Sequence, residues 1–478
     1  MMLRTRFAPS PTGYMHIGNL RTALYAYCIA RHSQGAFILR IEDTDRKRNV
    51  PKAIQVIYDS LRLAGLDYDE GPGKDGGYGP YIQSQRMEQG IYRRHAEMLV
   101  ERGEAYTCFC ESSGGSTAPQ SPRSRRNICR SLTLAEAQAR NNAGQSYVIR
   151  QRIPDEGVTT FHYLVFGDIT VKNSTLDEQI LLKSDGFPTY NFANVVDDHL
   201  MAVTHVVRGV EYLSSTPKYN LLYSSFDWEP PAYVHLPLIV KESGKKLSKR
   251  AGDASFQDLM AQGFLPEAII NTIALLGWSP GDDREFFTLE DLVANFDISH
   301  INKSKAAFSI QKLEWINGEH IRRLSPGNFH ENAADFYPPE LAASYDTIAI
   351  SRVIQSRVTK LGDIPAMTAF LVAVPPFDLA LFEHIKSKST LESSLQVLQA
   401  VTPVLNDLKD WNEETIRQVL TDYAVRVNLK TGTVMWPVRV ALSGLQSTPG
   451  GAIEIAAILG KKETARRIET AVSLLQER

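Results

Sequence analysis

The sequence predicts an α/β protein: an open parallel sheet, broken by an α/β insertion and followed by an all-helical tail. Three observations lead there. Residues 4–19, RTRFAPSPTGYMHIGN, read as a short strand, a Pro/Gly turn and the start of a helix. Residues 36–41, AFILRI, read as a buried strand of a parallel sheet. The C-terminal third, residues 324–478, is a series of amphipathic helical patterns with almost no strand signal.

The helix from about Gly18 is predicted by Leu20, Leu24, Tyr27 and Cys28 at three- and four-residue spacing. A helix start presents unpaired N–H groups and a positive dipole end, so it can hold a phosphate. Gly18 would leave room for a nucleotide against the backbone, and His16 could donate to a phosphate oxygen. The strand at 36–41 ends in Glu42-Asp43, and ligands of open α/β sheets bind beyond the carboxyl ends of strands. Glu42 is therefore placed to meet a cationic amino group, the alternative being a capping or solvated acidic turn.

Residues 51–66 and 83–102 read as helices and 105–109 as a strand. Between them GPGKDG at 71–76 fits the dinucleotide fingerprint formally, but it follows an acidic stretch instead of a strand and precedes no helix. No GxxxxGK[ST] occurs. Residues 111–122 form a polar loop by composition, after which come a helix near 134–140 and strands at 147–150 and 163–171. The sheet is expected to resume at 179–182. A strand at 203–207 then ends in Arg208, which can meet a carboxylate with two parallel hydrogen bonds. The last strand, 233–240, leads into GKKLSKR at 244–250, four cations in seven residues and suited to a triphosphate. Asp197-Asp198-His199 is a poor metal set on one turn, so a supporting role is expected for it.

The chain has 478 residues, too many for one core, with 43% hydrophobic and 22% charged residues. A net charge of −2 argues against a uniformly basic surface, so a nucleic-acid partner would need local basic faces: 123–126, 241–250, or Lys461-Lys462 with Arg466-Arg467. The last of these is by default ordinary solvated charge. No apolar run is long enough to span a bilayer and no signal core opens the chain, so a cytosolic protein is expected. Four cysteines are too few for a disulfide scaffold.

HIGN at 16–19 and KLSKR at 246–250 resemble the HIGH and KMSKS signatures of class I aminoacyl-tRNA synthetases. RFAPSPTG, FILRIEDTDR at 37–46 and FPTYNFANVVDDH at 187–199 resemble the glutamyl-tRNA synthetases in particular. The resemblance implies a Rossmann-like catalytic domain in two halves, 1–105 and 185–254, around an insertion at 106–184 that grips the tRNA acceptor end. A helical stem-contact domain, 255–323, and a helical anticodon-binding domain, 324–478, would follow. It implies a cytoplasmic, monomeric enzyme that uses ATP and Mg2+ to join L-glutamate to tRNA-Glu. His16, Lys246 and Lys249 would stabilise charge in the transition state. ATP would meet Pro9, Ser10, Thr12, Gly13, His16, Gly18 and Asn19, with Glu211, Tyr212 and Ile239 at ribose and adenine. Lys246, Leu247, Ser248 and Lys249 would close over its phosphates. Glutamate would meet Arg6, Ser10, Glu42, Tyr190, Asn194 and Arg208, and Arg357 would read the third anticodon base unless it merely caps its helix. Cys108, Cys110 and Cys129 resemble a zinc site of some members, with Ser131 where the fourth ligand belongs; reduced thiols without metal are the alternative.

A nucleotidyltransferase could use the same turn but would need neither insertion nor helical tail. A truncated paralogue that glutamylates a tRNA base lacks the tail, and a non-catalytic tRNA-binding protein would be expected to have lost His16 or Lys249.

Overall fold

The computed structural model describes the chain except residues 1, 45–49, 51, 111–127, 246–254, 377 and 478, together with the side chain of residue 128. Two compact units result: Met1–Leu259 with Ile269–Ile310, and Met260–Ala268 with Gln311–Arg478.

The first unit is built on a six-stranded sheet. Its strands are β1 (Arg4–Phe7), β2 (Ala36–Leu39), β5 (Val158–Tyr163), β6 (Gly167–Lys172), β8 (His205–Gly209) and β9 (Ala232–Leu236), in the order β2-β1-β8-β9-β5-β6. All pairs are parallel except the β5–β6 hairpin. In β1 the period-2 alternation separates two jobs. Thr5 donates to the Ala26 carbonyl, while Arg4 and Arg6 point the other way into buried carboxylates. Helix α1 (Ile17–His32) packs by small residues, Ala23, Ala26 and Ala30, all fully buried. Its first residue follows His16, whose Nδ1 accepts from the Gly18 amide at 3.1 Å and caps the helix.

A second sheet, β3 (Ala105–Cys108), β4 (Val148–Gln151) and β7 (Ile180–Leu182), is antiparallel. Its inner face joins Ile91, Tyr92 and Leu99 to Phe192, Val196, Leu222 and Phe226 in one core. Each such side chain contributes roughly 1.5–3 kcal/mol by leaving water.

Several expectations need correction. The strand expected at 163–171 is the end of β5, a turn at 164–166 and most of β6, and this hairpin extends the large sheet instead of standing apart in the insertion. Residues 179–182 belong to the small sheet, so the large sheet resumes only at β8, which runs to Gly209 and includes Arg208. The helix expected at 51–66 is shorter, α2 (Ala53–Leu63). That expected at 83–102 is two, α3 (Gln83–Glu88) and α4 (Ile91–Glu101), because Gly90 adopts φ 70° between them. The run at 233–240 is split into β9 and β10 (Ile239–Lys241) by Pro237, and β10 leaves the sheet to pair with β11 (Ala306–Phe308). The first unit also contains helices α5 (Leu134–Asn142), α6 (Tyr190–Leu200) and α7 (Thr216–Ser225).

The second unit is helical, and among the described residues no strand follows β11. Side-chain caps mark its helices at Thr390 and Asn412. The longest segment, Ala452–Gln476, is broken by non-helical Gly460. Two of the four cations of the basic cluster before its end are used internally, while Lys462 and Arg466 are exposed. Arg467 is buried and donates to three carbonyls, those of Phe370, Leu371 and Leu442, while Lys461 donates to the Leu408 carbonyl.

Candidate active site

A cleft of about 640 Å³ opens at the carboxyl ends of β1, β2 and β8 in the first unit. That is where an open parallel sheet places ligands. From the predicted nucleotide set, the structure brings together Pro9, Ser10, Thr12, His16, Gly18, Asn19, Glu211, Tyr212 and Ile239. Arg6, Glu42, Tyr190 and Arg208 line the same cleft. Two residues are not on its wall. Gly13 forms the preceding turn with φ 116°, which a side chain would strain, and Asn194 is buried one turn beyond Tyr190. Among the described residues Asn194 Nδ2 nevertheless has no partner. Lys246, Leu247, Ser248 and Lys249 lie outside the described residues.

Gly18 also has a purpose within the helix start itself. A Cβ there would come within 3.3 Å of His16 Nδ1, so the glycine makes room for the capping imidazole. Because Nδ1 accepts from an amide, the ring proton sits on Nε2, where it is a donor.

The floor of the cleft is a buried ionic network that the motifs did not reveal. Arg6 donates from Nε to Asp198 Oδ1 at 3.0 Å and from Nη1 to the Val207 carbonyl. Arg40 bridges Asp198 Oδ1 at 2.7 Å and Glu42 Oε1 at 2.8 Å. Asp197 accepts from Arg86, Gln83 and Tyr92 at 2.6–2.9 Å. Burial alone would push Asp198 up, but Arg6 and Arg40 outweigh it and hold its carboxyl below the usual range. Burial wins at Glu42, whose pKa stays raised despite Arg40, and its Oε2 has no partner among the described residues. Asp197 and Asp198 thus serve as counter-ions, the supporting role expected of them.

Arg208 is held differently. Its Nε donates to His235 Nε2 at 3.1 Å and Nη2 to Thr216 Oγ1 at 2.9 Å, while Nη1 has no partner among the described residues. Tyr212, expected at the base end, also stacks on Tyr190 with ring centroids 5.6 Å apart. It therefore walls the arginine end of the cleft as well.

Sequence reading missed Arg21, Arg40 and His235. Arg21 lines the cleft and donates to the Leu276 and Pro237 carbonyls, tying α1 to the start of the β10 segment. Buried charged residues inside apolar runs, as in FILRIE, were the one available signal.

Elsewhere, the Sγ atoms of Cys108, Cys110 and Cys129 lie within 4.8 Å of one another, with 3.6 Å between those of Cys110 and Cys129. This donor set fits three corners of a tetrahedral zinc site, with a fourth ligand still to be supplied. In the second unit Arg357 is exposed in the turn after the helix Thr347–Ile354 and sits near Arg439, whose pKa burial and Arg357 both lower.

Residues 2–315 match the family described as tRNA synthetases class I (E and Q), catalytic domain, and residues 328–472 match the anticodon binding domain. A glutamate–tRNA ligase of Clostridium botulinum is 52% identical over 99% of both chains, and one of Clostridium acetobutylicum 51% identical over 99% of both. Among solved structures, a glutamate–tRNA ligase of Elizabethkingia meningosepticum superposes with TM-score 0.85 at 33% identity, covering 99% of this chain and 100% of that one. A glutamate–tRNA synthetase of Elizabethkingia anophelis gives TM-score 0.86 at 33% identity with the same coverage. The two family models and these relatives together cover nearly the whole chain, and the chain belongs to the glutamate–tRNA ligase family of class I aminoacyl-tRNA synthetases.

Proposed function

We propose that this chain activates L-glutamate with ATP to glutamyl-adenylate and transfers the glutamyl group to the 3′-terminal adenosine of tRNA-Glu. The observation that carries the reading is the composition of the cleft. The phosphate-binding helix start shares one cavity with Arg6, Arg208 and the open oxygen of Glu42.

In the first step an α-carboxylate oxygen attacks the α-phosphorus and diphosphate leaves; in the second a ribose hydroxyl attacks the carbonyl and AMP leaves. The α-carboxylate must stay free to attack, so the cations of the floor are available for the side-chain carboxylate. Arg6 and Arg208, with Tyr190 and Asn194 beside them, take that group, and Glu42 with Ser10 takes the ammonium. His16 donates to a phosphate oxygen from Nε2. Lys246 and Lys249 neutralise charge on the transferring group, with Mg2+ on the phosphates. Glutamine would leave a buried guanidinium facing a neutral amide, which is costly.

In the same reading 106–184 meets the acceptor end, 255–323 the stem and 324–478 the anticodon, and the enzyme works as a cytoplasmic monomer. Zinc, if bound, sits on Cys108, Cys110 and Cys129 in a structural role. The test is exchange of radiolabelled diphosphate into ATP with each amino acid, with and without tRNA. Glutamate-dependent exchange is expected; exchange with glutamine equal to that with glutamate, or none with glutamate in the presence of tRNA, would refute the assignment.

A further inference from the structure

We infer that His235 determines the preference for a carboxylate over an amide, by holding Arg208 in place without neutralising it. This rests on the glutamate reading of the cleft. Four buried arginines of this unit, Arg4, Arg6, Arg40 and Arg86, are each met by an aspartate or glutamate. Two others are not: Arg21 rests on backbone carbonyls, and Arg208, 4% exposed, has among the described residues only a histidine, a threonine and tyrosine faces as side-chain partners. The Arg208 guanidinium lies 4.7 Å from the Tyr219 ring centre, 5.1 Å from that of Tyr233 and 5.6 Å from that of Tyr212.

A guanidinium N–H can only donate, so His235 Nε2 is the bare nitrogen, and the neutral ring carries its proton on Nδ1. His235 is fully buried, with its ring edge-on to Tyr163 at 4.5 Å. Burial, Arg208 and Arg6 all oppose a second proton and hold its pKa down to about 2. It is therefore neutral at any physiological pH. An aspartate here could make the same hydrogen bond, but it would also cancel the charge. A ligand carboxylate would then bring surplus negative charge into a neutral pocket, and an amide would be accepted nearly as well. With imidazole as the acceptor, Arg208 keeps an unbalanced charge and an open Nη1, and an anionic ligand group resolves both. His235 is thus a positioning residue for specificity and touches no reacting atom.

The test compares His235→Asn with His235→Asp in the full-length enzyme, by diphosphate exchange with glutamate and with glutamine at saturating ATP and tRNA. The two side chains match in shape and differ in charge. Asparagine should raise KM for glutamate by no more than about 5-fold, because the guanidinium keeps an uncharged hydrogen-bond acceptor. Aspartate should raise it at least ~10-fold further, with kcat changed less, and should narrow the glutamate-to-glutamine preference at least ~10-fold. KM for ATP should be the same in both. Equal shifts in the two variants would overturn the inference while leaving the functional reading intact; absence of glutamate-dependent exchange in the unmutated enzyme would overturn both. A readout that needs no folded variant is the nitrogen spectrum of the wild-type histidines at pH 5.5. At least one must remain neutral with its proton on Nδ1, and protonation of all eleven would overturn the inference.

Discussion

Replacing Asp198 with asparagine should destabilise the first unit by about 3–5 kcal/mol, although the side chain keeps its shape. Asp198 accepts three hydrogen bonds from two arginines, Arg6 Nε and Arg40 Nη1 on Oδ1 and Arg6 Nη2 on Oδ2, at 3.0, 2.7 and 3.3 Å. Both guanidiniums are essentially out of water, with side chains 4% and 0% exposed. Burial lowers their pKa values, and Asp198 is the leading reason that both nonetheless stand above the ordinary arginine value. Asparagine would offer one acceptor and turn an NH2 toward a guanidinium. Each charge-assisted bond reduced to a neutral one loses about 1 kcal/mol, and the uncompensated buried charge adds the rest. The assay is native-state hydrogen exchange of amides in β1 and β2, which reports the first unit by itself. The exposed pair Arg62–Asp59 supplies the control: Asp59→Asn should change stability by less than about 0.5 kcal/mol. A loss below about 1 kcal/mol in Asp198→Asn would show that the network is not the floor's support.

Further outcomes are expected. His16→Ala and Lys249→Ala should each lower amino-acid activation by about 10²-fold or more with tRNA affinity unchanged, and unaltered turnover in either would remove it from the catalytic set. Protein purified without chelator should hold zinc if Cys108, Cys110 and Cys129 are ligands; less than about a tenth of an equivalent by elemental analysis ends that reading. Arg357→Gln should narrow the preference for tRNA-Glu over tRNA-Gln by ~1–3 kcal/mol, whereas equal charging of both by the unmutated enzyme would show that no discrimination exists. Acid should weaken both units. His235 and His320, with pKa values lowered to about 2 and about 4, stay neutral when folded, while the unfolded chain takes up protons below its ordinary value of 6.5. Stability therefore falls as pH drops from 6.5, by up to about 1.4 kcal/mol per pH unit for each histidine. Glu42, with its raised pKa, works in the opposite direction below its own folded value. His320→Gln should shrink the loss between pH 7 and 5 in the second unit, and an unchanged loss would contradict the assignment.

Local chemistry was readable wherever it repeats along the chain. The strand–turn–helix at 4–19, the carboxylate ending the β2 segment and the helical period of the tail all predict their elements, because each depends on neighbours three or four residues away. The membership of the cleft followed from motifs, since Arg6, His16, Glu42, Tyr190 and Arg208 do line one cavity. Strand partnership was not readable: a six-residue alternating strand such as β5 reads the same whether it pairs within an insertion or with β9. Pro237 and Gly90 altered boundaries through single backbone constraints that periodicity averages over. Charge pairing was decided only by the fold, which brings Asp198 against Arg6 across 192 positions and His235 against Arg208 across 27. The sequence determined that these ionisable groups were present, and the tertiary structure alone decided which of them cancel and which is left to meet a ligand, because burial makes a charge choose the partner that folding sets beside it.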